Sequence, residues 1–175
     1  MDSARQRSRG VAGPVLLAAA LLGAGALVAG VTLVGGPADG DGCRGAGKRV
    51  EQVAALEVLR SPPPGARPAE GFEEPDSGCL DDSGEEVIGS VLTYDSPLPE
   101  AAVLSHYRAV AGDDGWSEEE PSYGEAESPG DPDAVRACFG KDIPGGPVRL
   151  SVRFESAERF VLSAESGLDG ARLGC

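Results

Sequence analysis

Aromatic residues are scarce in this chain, at 5% of its 175 residues. A carbohydrate-stacking platform needs several aromatic faces gathered together, and Tyr94, Trp116, Tyr123 and Phe139 are few and scattered. Histidine occurs once, as His106. A serine triad would have to use it, and no serine sits in a GxSxG setting. There is no CxxC, so the four cysteines make a poor zinc set. No acidic run has the alternating D-x-D-x-D-G order with a closing glutamate that an EF-hand loop requires. Phosphate loops and dinucleotide fingerprints are absent too, since no glycine-rich stretch follows a strand with the right spacing. These absences give the expectation of no cofactor and no metal.

Positive charge is in deficit. The formal net charge is −14, and lysine appears only twice against thirteen arginines. Such a balance argues against nucleic acid and against adhesion to anionic lipid. High Ala, Gly, Pro and Arg with little Lys is the mark of a GC-rich bacterial genome, so the Gly and Pro counts are not taken as signs of disorder.

What the chain does have is one long uncharged run, Val11 to Gly36, whose densest part is Val15 to Val34. As a helix, about 20 residues rising 1.5 Å each span roughly 30 Å, the thickness of a bilayer's hydrocarbon core. Arg5, Arg7 and Arg9 precede it, and Asp39 and Asp41 follow it. The positive-inside rule makes residues 1–10 a cytoplasmic basic tail and puts everything after the segment outside. The expected organisation is a transmembrane signal-anchor helix over 11–36, a flexible Gly-rich linker over 37–47, and an extracytoplasmic domain over 48–175. The rival reading is a secreted domain released by signal cleavage. That needs an apolar core of about 7–15 residues, shorter than the one present. Cys43 follows Gly40-Asp41-Gly42 and lacks the apolar residue a lipobox places three positions earlier.

All four cysteines, Cys43, Cys79, Cys138 and Cys175, lie beyond the apolar run. An even number in an oxidising compartment points to disulfides, with three possible pairings. The pairing expected is Cys79–Cys138, joining the start of the compact region to a mid-domain strand, with Cys43–Cys175 tying the ends together.

Along the domain, Lys48 to Arg60 reads as a helix ended by Ser61-Pro62-Pro63-Pro64. Ser61 to Gly78 reads as Pro-rich acidic loop. Val87 to Tyr94 is a central strand. A helix follows Asp95-Ser96-Pro97-Leu98-Pro99-Glu100 and runs to about Ala111, with Val103, Tyr107 and Val110 on its apolar stripe. Residues 117–133 form an acidic loop. Ala134 to Gly140 is a strand, and Pro147 to Glu155 and Arg159 to Glu165 form a hairpin whose residues alternate with period two. The fold class expected is α+β: a two-layer sandwich of antiparallel sheet with one or two helices.

The run Cys79-Leu80-Asp81-Asp82-Ser83-Gly84, the strand ending in Tyr94, His106-Tyr107-Arg108 on a helix, Gly115-Trp116, and Cys138-Phe139 before a hairpin are together similar to small membrane-anchored or secreted proteins of GC-rich Gram-positive bacteria. The resemblance covers Leu56 to Ser166. It implies the compartment and supports the Cys79–Cys138 pairing, and it carries no activity.

Three functional expectations follow. The first is a non-catalytic binding or accessory domain held at the membrane through residues 11–36, with an envelope protein or wall component as partner. The second is an extracytoplasmic hydrolase using His106 or the Asp81/Asp82 carboxylates. The third is a cation-responsive domain using the acidic loop. Arg149 and Arg153, on the outer face of a strand, are either cross-strand partners of acidic residues or part of a docking face.

Overall fold

A computed structural model describes residues 43–82, 85–120 and 134–175. The apolar run 11–36 and the tail before it lie outside the described residues, and among those described no helix is long and apolar enough to cross a membrane.

Seven strands form one antiparallel sheet. In chain order the elements are α1 (Gly47–Ala54), a 3-10 turn (Glu57–Arg60), β1 (Arg67–Pro68), β2 (Asp76–Asp82), β3 (Glu85–Asp95), α2 (Glu100–Asp113), β4 (Ser117–Glu119), β5 (Val135–Ile143), β6 (Gly146–Ser156) and β7 (Arg159–Gly167). The sheet order is β1-β3-β7-β6-β5-β4, and β2 pairs with the same strand as β1, β3. The α+β class with an antiparallel sheet is therefore as expected.

Register puts the apolar residues on one face in rows that cross the strands. Leu92 stands beside Leu162, then Val152, then Ala137; Ser90 beside Ala164, then Leu150, then Phe139; Tyr94 beside Phe160, then Phe154. Almost all of these are buried, and α2 covers them with Val103, Tyr107 and Ala111, spaced four apart. Spacing of four keeps side chains on one helical face. Tyr107 meets Phe160 edge-on at 5.8 Å, and Tyr94 stacks on Phe160 at 5.3 Å. Trp116 is buried as well, with Lys141 Nζ 5.7 Å from its ring centre.

The first helix is shorter than expected. It ends at Ala54, the chain extends at Leu56, and a 3-10 turn follows. The break buries the consecutive residues Val58 and Leu59 together. The packed domain also reaches back into the expected linker: Cys43 and Ala46 are buried. Arg49 then latches α1 onto the β5–β6 turn. Its Nη1 donates to the Pro144 carbonyl at 2.9 Å, and its Nη2 donates to the Gly146 carbonyl at 3.0 Å and the Ser166 hydroxyl at 2.7 Å. That turn is Pro144-Gly145, where Gly145 takes a φ of +97 that favours glycine.

Two expected loops contain strand. Within Ser61–Gly78 lie β1 and the start of β2, and the acidic stretch 117–133 opens with β4. Residues 121–133 of it lie outside the described residues.

The expected disulfide pairing is corrected. Cys43 pairs with Cys79 and Cys138 with Cys175, with Cα atoms 5.9 and 6.0 Å apart. Cys79 stands opposite Ile88, on the helix-covered face, and holds the entry to α1 there. Cys138 stands on the other face, opposite Ser151. The tail after β7 turns at Gly170, crosses that second face and ends on Cys138. Each disulfide thus fixes one end of the described domain to one face of the sheet. Four cysteines in two disulfides mark a domain that folds in an oxidising compartment.

Candidate functional site

The expected catalytic groups are not brought together as a catalytic set. His106 is half-buried on α2, and its Nε2–H donates to the Ser61 carbonyl at 2.8 Å. The bond ties α2 to the segment that follows the 3-10 turn. Asp81 is exposed on β2, opposite Glu86, and Asp82 pairs with Glu85 in the same ladder. Strand β2 lies beside α1 and β3, whereas α2 lies against β4, β5 and the 3-10 turn. Among the described residues no three His, Cys, Asp or Glu side chains converge as a metal site, and most of the acidic loop lies outside them.

Arg149 is a cross-strand partner. It stands opposite Glu165 and forms an ion pair with it, and it also donates to the Gly174 carbonyl of the tail. Two residues earlier in the tail Arg172 pairs with Asp142 at 2.8 Å and reaches Glu119 at 3.5 Å. These contacts, with the Cys138–Cys175 bond, hold residues 168–175 against the second face. Arg153 lies on the same face, opposite Val161.

A different group of side chains lines a cleft. Register sets Arg67 of β1 opposite Asp95 of β3, and Asp95 opposite Arg159 of β7. Three neighbouring strands therefore carry an Arg–Asp–Arg row on one face. Directly opposed side chains have Cβ atoms about 4.5–5.5 Å apart, within reach of opposite charges. Arg159 Nε donates to Asp95 Oδ1 at 2.8 Å. That bond holds the Asp95 carboxyl below its usual range, and the charges of Arg159 and Arg67 add to the effect. The same contact raises Arg159 above the ordinary guanidinium value.

The row opens on a cleft of about 570 Å³, which Gly65, Pro97 and Glu158 also line. Gly65 takes a φ of +83, and a Cβ there would lie 3.3 Å from Pro97 Cγ. Ser96 fixes the floor, since its backbone N–H donates to the Glu158 carbonyl at 2.8 Å and its hydroxyl accepts from Leu98 N–H at 3.2 Å. The hydroxyl thus closes a local turn before α2, whose first residue is Glu100. A charged cleft with a preset floor can hold a small polar ligand; it carries no assembled nucleophile. Sequence reasoning misses it because Arg67 and Asp95 are 28 positions apart, Asp95 and Arg159 64 apart, and the Pro-rich stretch that holds β1 carries no strand period.

Comparison with protein-family models, with curated proteins and with solved structures finds no match for this chain.

Proposed function

We propose that this protein is a single-pass envelope protein that presents a rigid, non-catalytic binding domain outside the cell. The observation that carries the reading is the pair of disulfides, one at each end of the described domain and on opposite faces of one sheet. Disulfides persist where the compartment is oxidising. The uncharged run 11–36, with arginines before it and aspartates after it, supports an anchor that leaves the domain on that side. His106 bonded to a backbone carbonyl, far along the chain from the Asp81 ladder, supports binding over hydrolysis. The partner class is an envelope protein or wall component, met by a preformed surface and not by a segment that must fold on contact.

Cross-linking in intact cells, followed by purification of the full-length chain, tests this reading. A specific envelope partner recovered reproducibly, and lost when cross-linker is omitted, is the expected result. Repeated recovery of the chain alone would overturn it.

A further inference from the structure

The Arg67–Asp95–Arg159 cleft has an uneven charge pattern. Asp95 and Arg159 neutralise one another through the 2.8 Å bond. The Arg67 side chain, exposed on the short edge strand β1, makes no hydrogen bond or close ion pair among the described residues and acts on Asp95 through its charge alone. Glu158, exposed in the β6–β7 turn, makes no side-chain bond or ion pair among them either. The row therefore sets two guanidinium groups on one carboxylate and keeps one net positive charge, and Glu158 places an unbonded carboxylate beside it at the β6–β7 turn. Arg159 engages Asp95 through Nε and lines the cleft beside it.

From this pattern we infer that the cleft binds a small zwitterion, of amino-acid to dipeptide size. Its carboxylate lies on Arg67, and its ammonium lies on Glu158. A simple anion would meet Glu158 as a like charge, and a simple cation would meet Arg67 so. Guanidinium groups suit a carboxylate because their donors are planar and can be bidentate. A cleft of about 570 Å³ falls within the size range of small-molecule sites, roughly 300–1,000 Å³. The wide opening and the exposed charges imply millimolar affinity, since the ion pairs formed are screened by solvent. Gly65 keeps the wall beside Pro97 free of a side chain. The inference rests on the reading of the domain as a binding module and names a ligand chemistry for it.

The test is a chemical-shift titration of the isotope-labelled full-length chain in detergent. The probes are glycine and diglycine as zwitterions, acetate as anion, and methylammonium as cation. The expected result is saturable shifts at the amides of Arg67, Asp95 and Glu158 with at least one zwitterion, and affinity at least about fivefold weaker for acetate and methylammonium. Arg67→Gln and Glu158→Gln change exposed side chains only, so both variants should melt as the parent does while losing about tenfold in zwitterion affinity. No saturable shift with either zwitterion up to about 50 mM would overturn the inference, because such affinity would add almost nothing to the native state. So would acetate binding as tightly as both zwitterions, or unchanged affinity in both variants. A failed titration beside a recovered cross-linked partner removes this cleft and leaves the binding module. Zwitterion binding without any cross-linked partner supports the cleft and counts against a macromolecular partner.

Discussion

At the scale of single residues, two buried tyrosines behave oppositely. Tyr94 Oη donates to the Leu59 carbonyl at 2.6 Å, joining the sheet to the 3-10 turn. Tyr107 is fully buried, and its hydroxyl has no hydrogen-bond partner among the described residues. Burial pushes both phenols above their usual value, Tyr107 the further. Tyr94→Phe leaves a buried carbonyl unpaired and should cost about 1–3 kcal/mol in urea unfolding. Tyr107→Phe removes an unsatisfied hydroxyl while keeping the ring on Phe160, and should be neutral or stabilising by up to about 1 kcal/mol. Asp95 sets a pH dependence. Its folded value lies below the unfolded one, so the Arg159 contact contributes above about pH 4 and is lost as pH falls through the folded value. In Asp95→Asn, the stability-against-pH curve should be shallower below about pH 4 than in the parent chain. Equal slopes would show that the exposed pair adds nothing.

Secondary-structure elements show where the sequence was legible. Strands β6 and β7 and helix α2 were readable because each carries its own period: Val148, Leu150 and Val152 alternate with Arg149, Ser151 and Arg153, and α2 buries residues four apart. Strand β3 was readable because Val87 to Tyr94 is rich in β-branched and apolar residues. Strands β1, β2 and β4 were not. Asp76-Ser77-Gly78-Cys79-Leu80-Asp81-Asp82 has little β-propensity of its own and is a strand because β3 offers it a ladder. Acidic residues on such an edge also discourage pairing with other chains. The cleft was illegible for the same reason, since its Arg–Asp–Arg row exists only once β1 is placed beside β3 and β3 beside β7. The cysteines were recognised as disulfide partners, but sequence distance does not determine which face of a sheet each occupies. At this scale Arg49 is the latch between α1 and the β5–β6 turn. Arg49→Met should cost about 2–3 kcal/mol, because the Pro144 and Gly146 carbonyls and the Ser166 hydroxyl lose a charged donor. Urea unfolding checks it, and a loss under about 0.5 kcal/mol would mean that water replaces the guanidinium.

For the whole molecule, the disulfides close loops with separations of 36 and 37 residues. Each should contribute about 4 kcal/mol through the unfolded chain's lost entropy. Removing Cys138 and Cys175 together as serines should lower stability by about 3–4 kcal/mol, and limited proteolysis should then cut within 168–175 before the sheet. Their placement also explains why, among the described residues, the sheet's second face has no helix on it. The tail takes that place, fastened by Cys138, Arg149 and Arg172. Anchoring and oxidation outside the cell are proposed together for this domain. Intact mass of protein extracted from membranes, without reduction and after thiol alkylation, tests them most directly, with peptide mapping on the same sample. An anchored, oxidised chain gives a full-length mass, no alkylated cysteine, and disulfide-linked peptides joining Cys43 to Cys79 and Cys138 to Cys175. Four alkylated thiols on a full-length chain, or a mass lacking the apolar run, would contradict the proposal.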